Sequence, residues 1–165
     1  MKYATTFGAS NVIDKNLYQE GVELGEFLVK QGYTVKCGGY QGLMEAVSKG
    51  VKKANGKVVG VRLKDFEDLR QDNIYLTEKI VAKDIFERLK ILTQDSELFV
   101  VQNGSIGTLN ELFIVWALKY SLKRNIRICL IGKNYLSIKN CPFIPQDTIK
   151  LLEFYETLND FKSMF

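Results

Sequence analysis

No histidine occurs anywhere in the 165 residues. That absence removes a Ser-His-Asp triad, a histidine general base and any histidine-ligated metal. Chemistry must then rest on carboxylates, Arg, Lys, Tyr, Ser/Thr, Cys or backbone dipoles. Cysteine is scarce, and Cys37, Cys129 and Cys141 are odd in number and widely spaced. They form no disulfide framework and point to a reducing, cytoplasmic setting. No apolar run approaches the ~20 residues of a membrane span, and Met1-Lys2-Tyr3 leads directly into a short apolar strand rather than a signal peptide. No membrane partner is expected. The 23 basic residues exceed the 19 acidic ones by a formal charge of +4, but they are scattered. Lys52-Lys53 and Lys123-Arg124 are the densest pairs, and neither has interleaved aromatics. A nucleic-acid partner is not expected, whereas a mild positive potential suits a small anionic ligand. Neither a G-x-x-x-x-G-K-[ST] loop nor a G-x-G-x-x-G dinucleotide fingerprint is present.

What the chain does have is centred on 98–120, LFVVQNGSIGTLNELFIVWALKY. Leu98-Phe99-Val100-Val101 reads as a buried strand. Gln102 to Thr108 is rich in turn formers. From Leu109 the period changes, and Leu109, Leu112, Phe113, Trp116 and Tyr120 fall on one helix face. A helix start carries unpaired N–H groups and the positive end of the macrodipole. Gly104 and Gly107 let an anion approach the backbone, Thr108 can add a hydroxyl donor, and the natural ligand is a phosphate. Glu111 lies one turn further in. It either faces another part of that ligand, or merely complements the helix dipole or forms a capping box with Thr108, whose spacing it fits.

Before this unit come a strand at residues 3–8 running into Gly8-Ala9-Ser10-Asn11, a helix at 16–30 stopped by Gly32, and a strand at 33–37. Cys37 leads into a turn, Gly38-Gly39-Tyr40-Gln41-Gly42. It is either a small buried thiol or, at a binding edge, a reactive one. A helix from Leu43 to Ala54 closed by Asn55-Gly56 follows, then a strand at 57–62. Residues 63–75 are charged and without period, a loop that could close over a site. A short strand at 75–81 and a helix at 82–93 complete the first part. Ile85, Leu89 and Leu92 share one face of that helix, and Arg88 sits one position off it, where an arginine is ordinarily solvated. After 120 come a strand at 127–131, an irregular stretch at 132–147 with both prolines, a strand at 150–155 and a short helix at 159–164.

Strands alternating with helices predict one α/β domain over 1–165, Rossmann-like and doubly wound, with a mainly parallel sheet and helices on both faces. Ligands bind such sheets outside the carboxyl ends of the strands. The turns at Gly8–Ser10, Gly38–Gly42 and Gly104–Thr108 all follow strands, so all share that edge. Together they point to a nucleotide-sized anionic ligand.

The residues also resemble a known family. Asn103-Gly104-Ser105-Ile106-Gly107-Thr108-Leu109-Asn110-Glu111 is similar to the PGGxGTxxE motif of the LOG-type ("Lonely Guy") phosphoribohydrolases, often mislabelled lysine decarboxylases. Gly38 to Met44 resembles their GGGxxGLM turn, and Ile85-Phe86-Glu87-Arg88-Leu89 stands at the place of their MHxRK element. The resemblance spans Tyr3 to Ile131 and is closest to a prokaryotic branch. It implies a Rossmann-like homodimer that splits the N-glycosidic bond of a nucleoside 5′-monophosphate into base and ribose 5-phosphate, using no metal and no nicotinamide or other cofactor. It implies Arg88 and Glu111 as the catalytic pair. With the three turns, the expected nucleotide-binding positions are Gly8, Ser10, Gly38, Gly39, Gly42, Met44, Asn103, Gly104, Ser105, Ile106, Gly107 and Thr108. The chain departs from the motifs at Asn103 (Pro), Ser105 (Gly), Leu89 (Lys), Ile85-Phe86 (Met-His) and Cys37 (Gly). A second reading within the superfamily is a carrier or sensor that binds a nucleotide or the molybdenum cofactor without catalysis. Trp116 and Tyr120 either pack in the core or meet a second subunit.

Overall fold

A computed structural model describes residues 1–12 and 14–165. Seven strands form one sheet: β1 (Lys2–Phe7), β2 (Tyr33–Cys37), β3 (Val58–Leu63), β4 (Glu78–Ala82), β5 (Ser96–Val101), β6 (Arg127–Ile131) and β7 (Glu153–Tyr155). Their order is β4-β3-β2-β1-β5-β6-β7, and every neighbouring pair is parallel. The chain winds outward from β1 to β4, returns to lay β5 against the other side of β1, and winds outward again. The reversal between β1 and β5 is the topological switch point, where the loops on either side diverge and leave a crevice.

The strands are buried on both faces, so successive side chains serve two cores. Ala4, Val35, Leu98, Val100 and Cys129 face one layer with Leu24, Leu28, Val47, Val51 and Phe161. These come from α1 (Lys15–Lys30), α2 (Leu43–Lys53) and α6 (Leu158–Ser163). Phe7, Phe99, Val101, Ile128 and Leu130 face the other with Leu92, Leu112, Val115 and Trp116. These come from α3 (Ile85–Thr93) and α4 (Ile106–Leu122). The doubly wound α/β architecture with helices on both faces is thus present.

Several boundaries differ from those expected, each for a local reason. α3 begins at Ile85 rather than Ala82 because Asp84 is its N-cap, accepting from the Glu87 amide at 2.8 Å. α4 begins at Ile106, three residues before Leu109, with Ser105 at the cap position. Thr108 is therefore inside the first turn and forms no capping box with Glu111. The 132–147 stretch is partly helical, with a 3-10 segment Lys133–Asn140 and a short α5 (Gln146–Ile149). Helical turns persist through Leu152, whose amide donates to Ile149 O, so β7 starts only at Glu153. The α2 terminus closes as expected, although it is Asn55, not Gly56, that takes the left-handed conformation (φ 56°).

Candidate active site

Three backbone hydrogen bonds gather the turns at the switch point. The Ala9 amide donates to Asn103 O, the Leu43 amide to Ala9 O, and the Gln102 amide to Phe7 O, at 2.8–2.9 Å. The turns after β1, β2 and β5 thus meet at one edge. Gly42 has φ +66°, and a Cβ there would lie 2.3 Å from Ala9 O, so only glycine lets these two turns touch.

At the β5 turn the end of α4 is open. Ser105 makes no side-chain cap bond, and the first helical hydrogen bond runs from Leu109 to Ser105 O. The amides of Ile106, Gly107 and Thr108 are left without intrahelical partners, at the positive end of the helix. Gly104 has Thr108 Oγ1 within 2.0 Å of where a Cβ would stand, so the turn closes tightly over the threonine. Gly107 has nothing within 4 Å of that position, and the space it leaves belongs to the cleft. This is a cradle for an anion.

Glu111 lies one turn along, its side chain 12% exposed, and Arg88 of α3 reaches it with a side chain 11% exposed. Arg88 is fixed at three points. Its Nε donates to Val61 O at 2.8 Å, Nη1 to Glu111 Oε1 at 3.2 Å, and Nη2 to Gly38 O at 3.4 Å. It is therefore not solvated, although it stands off the apolar stripe of Leu89 and Leu92. Burial pushes the Glu111 carboxyl above its ordinary range, and the Arg88 charge and hydrogen bond partly offset this. A carboxylate held this way has raised proton affinity but a permanently charged partner, the condition of a base or a cation stabiliser.

The cleft is about 330 Å³ in volume, within the size range of small-molecule sites. Of the expected positions, it brings together Gly8, Ser10, Met44, Arg88, Ser105, Ile106, Gly107, Thr108 and Glu111. Gly38, Gly39 and Gly42 are not on its wall. Gly39 packs on the Gly60 backbone and Gly42 on Ala9, so both shape the turn. Asn103 and Gly104 face adjoining cavities on the other side of the β5 turn. The largest of these, about 550 Å³, carries Asp14, Glu20 and Glu156, and its Lys133 already pairs with Glu156 at 3.6 Å. Its excess negative charge disfavours a phosphate, so the smaller cleft is the candidate site despite its size.

The opposite wall draws on the 63–75 stretch, the expected loop, which carries a 3-10 turn at Lys64–Phe66. It consists of Tyr40, Leu63, Phe66 and Arg70. Tyr40 is anchored by the Leu63 amide, which donates to its hydroxyl at 2.8 Å. The 64–72 segment is pinned by Arg62, fully buried on β3, which pairs with Glu67 and Asp72 and donates to Arg70 O at 3.0 Å. The charge at Arg62 inside an otherwise apolar strand was the sequence's signal for that pinning. Cys37 is completely buried, and burial pushes its thiol up, which makes it unreactive. Among the described residues, no helix is long and apolar enough to cross a membrane.

A family model, the SLOG cluster4 family, matches residues 2–139. The cytokinin riboside 5′-monophosphate phosphoribohydrolase of Mycobacterium tuberculosis is 31% identical over 111 residues, covering 66% of this chain and 58% of that protein. The chain spans roughly half the length of the curated relatives it matches. The X-ray structure of TM1055, a structural genomics target, superposes with a TM-score of 0.76 at 26% identity, covering 99% of this chain and 98% of that one. The molybdenum cofactor binding protein from Rippkaea orientalis has a TM-score of 0.77 at 18% identity, covering 99% and 94%, a likeness of fold.

Proposed function

The chain belongs to the SLOG cluster4 family, within the LOG superfamily, and from that premise we propose that it is a nucleoside 5′-monophosphate phosphoribohydrolase. The observation that carries the reading is that the buried Arg88–Glu111 pair opens onto the same cleft as the uncapped start of α4. The phosphate would sit on the amides of Ile106, Gly107 and Thr108, with the Ser105 hydroxyl as a further donor. The ribose would then lie against Glu111. Breaking the C1′–N bond leaves an oxocarbenium-like ribosyl cation. The Glu111 carboxylate stabilises that cation and accepts a proton from the water that forms the new C1′–O bond, and the departing base takes up a proton. Arg88 orients the carboxylate and favours its ionised form. The products are the free base and ribose 5-phosphate.

A second reading, binding without turnover, is favoured by the departures from the enzymes' motif. Where the enzymes' motif has His and Lys, this chain has Phe86, 79% exposed, and Leu89, 8% exposed. Both are apolar and neither lines the cleft, so this chain lacks the polar side chains that the motif supplies beside its arginine. The fold neighbour named for the molybdenum cofactor fits such a carrier. Incubation with a panel of monophosphates separates the two readings. Base release that is lost in Arg88→Ala and in Glu111→Ala supports the hydrolase, and saturable binding without release supports the carrier.

We also propose a homodimer in which a second copy covers the aromatic face of α4. Phe113 and Tyr120 are 48% and 47% exposed and border a shallow cavity with Trp116 and Phe143, itself 91% exposed.

A further inference from the structure

Tyr40 is surrounded by three guanidinium groups, those of Arg62, Arg70 and Arg88, at 5.0, 4.9 and 5.8 Å from its ring centre. Two of them are satisfied by the protein. Arg62 is engaged by Glu67, Asp72 and Arg70 O, and Arg88 by Val61 O, Gly38 O and Glu111. Arg70 is different. Its guanidinium rests against Tyr40 and lies 4.7 Å from the Phe66 ring centre, yet among the described residues it forms no side-chain hydrogen bond or ion pair. It lines the cleft. Two aromatic faces thus hold an arginine in place while its five N–H donors remain available.

The contacts also order the cleft. They run from the α4 cradle to Glu111, then Arg88, then Tyr40, and end at Arg70 and Phe66. With the phosphate on the cradle and the ribose at Glu111, the base falls at Arg70. This step rests on the monophosphate reading above. We infer that Arg70 reads the base and selects heterocycles whose edge carries a carbonyl oxygen beside a ring-nitrogen acceptor, the pattern of 6-oxopurines such as guanine and hypoxanthine. A guanidinium fork donates to both acceptors at once. Adenine keeps the ring nitrogen but places an amino donor where the oxygen would be, so one arm of the fork meets N–H with N–H. Arg62 serves as a positioning residue, fixing the backbone of the segment that carries Arg70. A pterin presents the same oxo and ring-nitrogen edge.

The test is calorimetric titration of the Glu111→Gln chain, which prevents turnover, with GMP, IMP, AMP and a phosphate-free pterin. GMP and IMP are expected to bind roughly tenfold to hundredfold more tightly than AMP. Arg70→Ala in the same background removes that difference by weakening GMP and IMP while leaving AMP within a few fold. Arg70→Lys does not restore it, because an ammonium cannot fork. Equal or tighter binding of AMP, or a preference that survives Arg70→Ala, overturns the inference. If no monophosphate binds but the pterin does, dependent on Arg70, the edge assignment stands and the monophosphate reading fails. If none binds, both fall. Thermal melts of each variant confirm that the fold is retained.

Discussion

Gly38→Ala is expected to separate catalysis from folding. A Cβ at Gly38 would lie 2.4 Å from Arg88 Nη2 and 2.5 Å from Met44 Sδ, against an ordinary contact of 3.4 Å or more. Both neighbours are ends of flexible side chains, so each can retreat by about 1 Å, the shortfall from ordinary contact. Gly38 is not among the positive-φ glycines, and alanine brings no backbone strain. The unfolded chain loses some entropy, which offsets part of the crowding. Net stability should change by no more than about 1 kcal/mol, or roughly 2–4 °C in Tm for a chain of this size. The functional consequence is larger. Arg88 is held to Gly38 O at 3.4 Å and to Glu111 Oε1 at 3.2 Å, and a shift of that order misaligns the second contact while leaving the two charges adjacent. Misplacement on this scale costs on the order of a hundredfold in rate. The assay is base release at saturating substrate, with Kd from calorimetry and Tm from calorimetric melting. Turnover falling roughly a hundredfold with Kd within a few fold and Tm held is the expected result. Unchanged turnover would show that the Arg88–Glu111 contact does not serve the reaction.

Gly42→Ala should do the opposite, since φ +66° and a Cβ 2.3 Å from the Ala9 carbonyl oxygen leave nothing flexible to yield. A loss of about 2 kcal/mol or more is expected as a lower urea midpoint. The pH profile of turnover should have an acid limb above the ordinary carboxylate range, because burial raises Glu111. Activity is present above that raised value and lost as pH falls through it. In Arg88→Met the residual activity should show the limb higher still, because the group that lowers the Glu111 pKa is gone. A limb in the ordinary range would contradict the assignment. Sedimentation at micromolar concentration should show dimers that Phe113→Glu with Tyr120→Glu converts to monomers, the melt of the double variant serving as the folding control.

The sheet and the cradle were legible because their signals are local. The β-branched run at Val100-Val101, the glycines after it and the apolar period beginning at Leu109 lie within one stretch, and the three turns share an edge whenever the strands are parallel. Glu111 was placed by the same logic. Arg88 was not readable from its helix, where standing beside Leu89 looks like solvent. What buries it is a set of acceptors on β3, the β2 turn and α4, up to 50 residues away in sequence. Only the motif resemblance pointed to it. The start of α4 was misplaced because Leu109 opens the apolar period while Ser105 takes the cap and turns Thr108 inward, leaving it 4% exposed. Residues 63–75 were legible as a loop able to close over a site, but which of their side chains join Tyr40 in the wall was hidden because the stretch has no period. Their placement depends on one buried charge, Arg62, pairing with acids beyond its own strand.

The most direct test of the account is product stoichiometry. Wild-type chain is incubated with GMP, IMP and AMP, and free base and ribose 5-phosphate are quantified by chromatography beside Glu111→Gln, whose nucleotide binding is checked by calorimetry. The account predicts equimolar base and ribose 5-phosphate from wild type and neither from Glu111→Gln, which still binds. A wild-type chain that binds a monophosphate at the same cleft and releases no base, even at high protein concentration, would contradict the hydrolase reading and leave Glu111 as a clamp on the ribose hydroxyls of a carried ligand.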